Sequence, residues 1–102
     1  MKFKVIVHGQ KYRVQIVDEL HGETPFWRNV GFYATRFAEA YNTEQAIESV
    51  FRHLGFQLVN DGIVTTSTSS LSVEEIREDK EAFDSFAPGG GYTFYQDDLR
   101  DS

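Results

Sequence analysis

The residue types that most often perform catalysis or bind metals occur in this 102-residue chain, but their spacing fits neither role. Its three histidines are His8, His21 and His53. No two of them lie three or four residues apart, as the paired histidines of a helical zinc site do. The absence of cysteine excludes disulfides, thiolate ligands and cysteine nucleophiles. We therefore expect no metal site and no cofactor.

Three other patterns that can signal a functional site lack the context that each requires. The run "GGG" (Gly89–Gly91) precedes "YTFY", whereas a phosphate loop opens a helix and continues into Lys-Ser or Lys-Thr. The serines of "TTSTSS" lack the flanking glycines of a hydrolase nucleophile. Asp97, Asp98 and Asp101 lack the glycine and the spacing of a calcium loop. These patterns favour a protein that is not an enzyme.

The acidic residues are unevenly distributed and provide a first candidate binding surface. Residues 1–60 hold seven Lys/Arg and six Asp/Glu, a balance of +1, whereas residues 61–102 hold three and ten, a balance of −7. Such a surface repels nucleic acid and membranes and attracts a basic protein partner, as an immunity or inhibitor protein would. The alternative is a solvated surface that only keeps the protein in solution. The candidate residues are Glu74, Glu75, Glu78, Asp79, Asp97 and Asp98.

Aromatic residues on one predicted strand provide a second candidate surface. In "GFYATRFAEAY" (Gly31–Tyr41) successive side chains point to opposite faces of a sheet. One face carries Phe32, Ala34, Arg36, Ala38 and Ala40, and its alanines allow a helix to pack closely. The other face carries Tyr33, Thr35, Phe37, Glu39 and Tyr41. With a basic neighbour from another strand, the candidate residues of this face are Arg13, Tyr33, Phe37 and Tyr41.

Three explanations of this aromatic face are open. Another segment, such as "FDSFAPGGGYTFY", can cover it, or two chains can form a homodimer through it. Alternatively, the face binds a small ligand or single-stranded nucleic acid, with the rings stacking on bases and the arginines meeting phosphate. The predicted position of Arg36 on the opposite face from the tyrosines argues against the last explanation.

A sheet must position these residues, and its first strands alternate clearly. Phe3–Val7 and Tyr12–Val17 flank "HGQK", which predicts a hairpin. "DELHGETPFWRN" (Asp18–Asn29) predicts a polar loop, and Val30–Tyr41 predicts the third strand. The side chains predicted to face the core from the hairpin are Phe3, Val5, Val7, Tyr12, Val14 and Ile16.

A helix is predicted to follow the third strand. Asn42 can cap it, with Gln45 completing a capping box, and Gly55 predicts its end. His53 would then lie where the helix dipole favours a cation. "GFQLV" predicts another strand, which turns at Asn60–Gly62. The apolar residues at helical spacing are Ala46, Ile47, Val50, Phe51 and Leu54.

The acidic half is less regular. Ile63–Ser70 favours a strand or an irregular loop, and Leu71–Glu78 fits both strand alternation and helical spacing. For the latter segment we favour a strand followed by an acidic turn. Glu81–Gly91 predicts a loop, and Tyr92–Tyr95 predicts a short last strand.

These elements predict one α+β domain over residues 1–96 and an acidic frayed tail over residues 97–102. The expected fold is a mostly antiparallel sheet of four or five strands with one long helix on one face in two layers, and with room for a second short helix in the acidic region. "MKFKVIVHGQKYR" has too few apolar residues for a signal peptide or a membrane span, so we expect a cytoplasmic protein.

The segments "GFYATRFAEA", "TEQAI" and "GGGYTFY" resemble those of a group of small bacterial α+β proteins of uncharacterised function. In that group a "GFYxTRF" strand leads into a helix start rich in Glu and Ala, and the chain closes on a "TFY" segment. The resemblance covers most of the chain and implies no particular activity. The way the strand enters the helix is also similar to ferredoxin-like α+β domains, a similarity of fold that implies no function.

Overall fold

The computed structural model describes residues 1–16 and 26–97, which form four strands and two helices. In chain order the elements are β1 (Lys2–Ile16), β2 (Phe26–Glu39), α1 (Thr43–Asn60), β3 (Val64–Glu78), α2 (Lys80–Phe86) and β4 (Thr93–Gln96). The strands form one antiparallel sheet in the order β3-β1-β2-β4. The predicted α+β class is therefore confirmed, with four strands in the described part of the chain.

The predicted hairpin at "HGQK" is wrong, because both of its arms belong to the single strand β1. The inward-facing side chains change from odd to even numbers between Gly9 and Tyr12, and a β-bulge produces that change without reversing the chain. Lys11 lies in the bulge with a φ of 65°. Gly9 is required there for space, since a Cβ atom would overlap the ring of Phe32. The expected core residues Phe3, Val5, Val7 and Tyr12 are indeed buried.

β2 begins earlier than predicted and has the expected two faces. Phe26–Asn29 are strand residues rather than loop residues, and residues 18–25 of the predicted loop lie outside the described residues, as does Val17 before them. We call the sheet side that packs against α1 the helix face, and the opposite side the open face. The helix face of β2 carries the buried residues Val30, Phe32, Ala34, Arg36 and Ala38.

The start of α1 follows the prediction closely. The backbone N–H of Gln45 donates to Asn42 Oδ1 at 2.8 Å, which makes Asn42 the N-cap. Gln45 Oε1 accepts from the backbone of Tyr41 rather than from Asn42, so the capping box is shifted by one residue. The residues of α1 that are buried against the sheet are Ala46, Val50, Leu54 and Leu58.

The predicted end of the helix at Gly55 and the predicted strand "GFQLV" are both wrong. α1 continues through Gly55 because Leu58, four residues after Leu54, extends its apolar stripe by one more turn. The helix ends at Asn60, and Gly62, two residues further on, takes a φ of 75° in a Schellman motif. In that motif the N–H of Ile63 donates to Leu58 O at 2.9 Å, and both side chains are buried.

The acidic half forms the rest of the sheet and a second helix. The favoured strand over Leu71–Glu78 is confirmed as part of β3. The loop predicted over Glu81–Gly91 is wrong for its first half, because Asp79 caps α2 by accepting from Ala82 N–H at 3.0 Å. α2 packs on the open face, so the two helices lie on opposite sides of the sheet. Neither helix in the described residues has the length and apolar composition that crossing a membrane requires.

Candidate functional site

The candidate acidic residues lie at two opposite edges of the sheet. β3 and the turn into α2 carry Glu74, Glu75, Glu78 and Asp79. Asp97 follows β4, and the strands β1 and β2 lie between the two edges. At the usual strand spacing this places the edges about 14 Å apart. Asp98 lies outside the described residues.

Two of the four acids near β3 are already paired. Arg77 lies 3.4 Å from a carboxylate oxygen of Glu75 and 3.3 Å from one of Asp79. Glu74 is 4.0 Å from His8 Nδ1, and Glu78 is exposed. Residues 64–86 nevertheless contain six Asp/Glu and two Lys/Arg, a balance of −4. This side of the molecule therefore stays acidic after its internal ion pairs are formed.

β3 is an edge strand, since β1 is its only neighbour in the described sheet. An edge strand directs part of its backbone N–H and C=O groups away from the sheet, where another chain can pair with them. At Thr66–Ser69 the strand bulges, and the hydroxyls of Thr66 and Ser69 donate to Lys11 O. Past this bulge, a second register shift falls at Glu74, and the exposed carboxylates of Glu74, Glu75 and Glu78 flank the edge. We call these three residues the acidic edge.

Asp97 has a contact that gives it a structural role. Its Oδ2 accepts from the backbone N–H of Lys11 at 2.9 Å, and its own N–H donates to Asn29 O at 3.0 Å. The carbonyl of Lys11 is held on the other side by Thr66 and Ser69. Asp97 therefore ties the end of β4 to the bulge of β1.

The open face is partly covered by α2 and by the segment that follows it. Phe83 packs edge-on against Phe37 with ring centroids 6.3 Å apart, and Lys2 Nζ lies 5.1 Å from the centre of the Phe83 ring. The N–H of Phe37 donates to Pro88 O at 3.1 Å. Tyr41 is 83% exposed and lies beyond the end of β2. Neither Phe37 nor Tyr41 therefore belongs to an uncovered part of the sheet.

Tyr33 remains exposed within a cluster to which all four strands contribute. The ring of His8 stacks on Tyr33 at 4.5 Å, and His8 Nε2 lies 2.6 Å from Tyr95 Oη. Glu74 faces the other ring nitrogen of His8. Burial, followed by the charge of Asp97, raises the pKa of Tyr95, so this phenol is neutral near pH 7 and is not activated as a nucleophile. We call His8, Tyr33, Tyr95 and Glu74 the four-strand cluster.

Arg13 lies on the open face, further along the sheet. Its guanidinium carbon is 5.7 Å from the centre of the Trp27 ring, and both side chains are exposed. The sequence predicts a loop at Trp27, and this prediction is wrong because Trp27 belongs to β2. The alternation of β2, extended back to Phe26, would have put Trp27 on the same face as Tyr33.

Arg36 is buried on the helix face, with 1% of its surface exposed. Its Nε donates to Gln57 Oε1 at 2.8 Å, and its Nη1 donates to Thr35 O and Gly91 O at 2.9 and 3.1 Å. Burial lowers its pKa, but a guanidinium remains charged in proteins. The guanidinium also lies 5.2 Å from the centre of the Tyr92 ring. Arg36 therefore joins β2 to α1 and to the turn before β4, and it is not available to phosphate on the open face.

Tyr92 connects this buried cation to a carboxylate. Its hydroxyl donates to Asp61 Oδ2 at 2.7 Å, just past the end of α1. Burial, together with the hydrogen bond to Asp61, raises the pKa of Tyr92 to about 12. The phenol thus stays protonated, and Tyr92 contacts Asp61 through its hydroxyl and Arg36 through its ring.

The remaining histidine and glycine patterns have structural explanations. His53 is exposed and lies well before the last turn of α1, so its predicted interaction with the C-terminal dipole is wrong. Gly89 and Gly91 have positive φ values of 88° and 77°, which fits the predicted turn. In the described ranges, no group of three or more His, Asp or Glu side chains is placed to hold a metal, and His21 falls outside these ranges.

Comparisons of the chain with protein-family models, with curated proteins and with solved structures found no match.

Proposed function

We propose that this protein is a non-enzymatic binding protein that takes a basic protein partner along the acidic edge of β3. The observation that carries the proposal is the coincidence of exposed carboxylates and a free strand edge at Glu74, Glu75 and Glu78. Residues 64–86 have a balance of −4, most of it on β3 and the turn into α2, since Asp84 of α2 pairs with Lys2 and Lys80. A cytoplasmic immunity or inhibitor protein that neutralises a basic toxin or nuclease would have these properties.

In this proposal an extended basic segment of the partner adds to β3 as a further strand. Main-chain hydrogen bonds to the free edge supply affinity, and lysines or arginines of the partner meet the carboxylates. The side chains of Glu74 and Glu75 are 55% and 43% exposed, so their charges are screened by solvent. Charges of this kind mainly speed association and select among partners.

The proposal is tested by capture from an extract of the cells that make the protein, at low salt and with a salt gradient for elution. Three baits are compared: the wild type, the variant Glu74→Gln/Glu75→Gln/Glu78→Gln, and the control Glu44→Gln/Glu48→Gln on the exposed side of α1. We expect a basic protein to bind the wild type and the control and to be lost from the first variant. Equal capture by all three baits would reject the acidic edge as the binding site.

A second candidate function is binding of a small planar ligand or single-stranded nucleic acid on the open face. It is favoured by the exposed rings of Trp27 and Tyr33, with Arg13 beside the first and His8 beside the second. The acidic balance of the chain opposes it. Titration of Trp27 fluorescence with nucleotides and with oligo-dT tests this candidate. Sedimentation of the free protein shows whether the open face instead pairs two copies of the chain.

A further inference from the structure

The helix face of the sheet extends past the end of α1. Val64 follows α1 and pairs with Arg13 of β1, so the helix ends near that level of the sheet. An 18-residue helix is about 27 Å long, whereas a 15-residue strand extends about 50 Å. The helix-face residues Val14, Ile16 and Arg28 therefore lie beyond α1.

A cavity of about 800 Å³ lies over this part of the helix face. Among the residues that the structure describes, its lining is mainly apolar and includes two charged side chains, Arg28 and Asp61. This volume falls in the range of pockets that hold small molecules, which typically combine apolar walls with a few polar groups. The apolar residues that line it are Val14, Ile16, Val30, Ile63, Tyr92 and Phe94.

The charged groups of the cavity differ in what they already contact. Asp61 accepts a hydrogen bond from Tyr92, and that contact joins it to the buried Arg36. Arg28 is half-buried, with its guanidinium carbon 5.8 Å from the centre of the Phe26 ring. A guanidinium presents several N–H donors in a planar fork that suits a carboxylate. The lining thus offers a cationic anchor beside apolar walls that include the rings of Tyr92 and Phe94.

We propose that this cavity binds a small apolar monocarboxylic acid, aromatic or acyl, with its carboxylate on Arg28 and its body between the β1–β2 surface and the rings of Tyr92 and Phe94. The site is separate from the acidic edge. The cavity lies on the helix face near Ile16 at one end of β1, whereas Glu78 pairs with Phe3 at the opposite end. Its ligand is also opposite in charge to the partner proposed for the acidic edge.

The test uses 8-anilino-1-naphthalenesulfonate as a fluorescent apolar monoanion, with decanoate and decanol as competitors. We expect decanoate to displace the probe at least about tenfold better than decanol, because only decanoate can pair with Arg28. Arg28→Gln should weaken binding of probe and decanoate by about tenfold or more. The matched control is Arg52→Gln, which removes an exposed arginine of α1 that contributes to neither candidate site.

A second pair of variants tests whether binding requires the open volume of the cavity. Val14→Trp fills the cavity and should abolish binding, whereas Gln15→Trp places the same bulk on the open face and should not. Methyl signals of Val30 and Ile63 in NMR spectra of the folded wild type should shift on addition of decanoate. Equal displacement by decanol and decanoate, equal effects of Arg28→Gln and Arg52→Gln, or unshifted Val30 and Ile63 signals would each overturn the proposal. None of these outcomes involves the acidic edge.

Discussion

Replacing Arg36 by Met tests whether a buried cation stabilises this fold. The substitution removes the donors to Gln57 Oε1, Thr35 O and Gly91 O and leaves a shorter, unbranched apolar side chain. Each buried acceptor that loses its partner costs about 1–3 kcal/mol. Met, however, no longer has to bury a charge, and replacing a buried charge by an apolar side chain can recover about 1–4 kcal/mol. Because three acceptors on three different segments lose their donor, we expect a net loss of about 3 kcal/mol.

The assay is urea unfolding followed by circular dichroism, for the wild type, Arg36→Met and Arg36→Lys. In thermal unfolding, the same loss of about 3 kcal/mol corresponds to a fall in Tm of roughly 12–24 °C for a domain of this size. Arg36→Lys keeps the charge but loses the fork geometry, so it should be destabilised as well. Arg13→Met, at an exposed position, should change the free energy of unfolding by less than about 0.5 kcal/mol. If the free energy of unfolding of Arg36→Met lies within about 1 kcal/mol of the wild-type value, a stabilising role for Arg36 is refuted. The desolvation cost of the guanidinium would then equal the stabilisation from its hydrogen bonds.

Three further predictions concern local contacts. Asn42→Ala removes the N-cap of α1 and should cost about 1 kcal/mol in urea unfolding, whereas Asn42→Asp should be near neutral. Asp97→Ala removes the acceptor for Lys11 N–H and should cost about 1 kcal/mol, while Asp97→Asn, which keeps an acceptor oxygen, should retain most of the stability. The hydrogen bond from Lys2, followed by that from Lys80, lowers the pKa of Asp84 below 3.8. The stabilisation by ionised Asp84 is therefore fully present above the pKa that Asp84 has in the unfolded chain, and it is lost as the pH falls through the folded-state pKa. When the free energy of unfolding is measured against pH, the variant Asp84→Asn should lack this loss.

The sequence predicts which side chains share one face of a strand better than it predicts where strands and helices begin and end. Alternation in Phe32–Ala38 places Arg36 on the helix face correctly, because a period of two is fixed by strand geometry. At Gly9–Tyr12 the change of parity fits a turn and a bulge equally well locally, and only pairing with distant Phe32 and Val30 decides between them. At Gly55 the helix continues because tertiary packing of Leu58 outweighs a weak local stop signal.

The candidate sites depend even more on distant contacts. Tyr95 meets His8 across 87 residues of sequence, and Trp27 lies on the open face only because β2 begins at Phe26. The cover over Phe37 comes from α2, whose seven residues give little periodic signal. The anchor Arg28 belongs to a segment that reads as loop from its composition. These placements follow from strand pairing, which local sequence patterns do not specify.

The proposed addition of a basic partner's strand to the acidic edge of β3 is tested most directly by hydrogen exchange of this chain, with and without the basic protein captured at low salt. We expect new protection of backbone amides within Val73–Glu78, and loss of that protection with Glu74→Gln/Glu75→Gln/Glu78→Gln at low salt. Capture of no basic protein, or protection confined to the open face around Trp27 and Tyr33, would contradict this proposal.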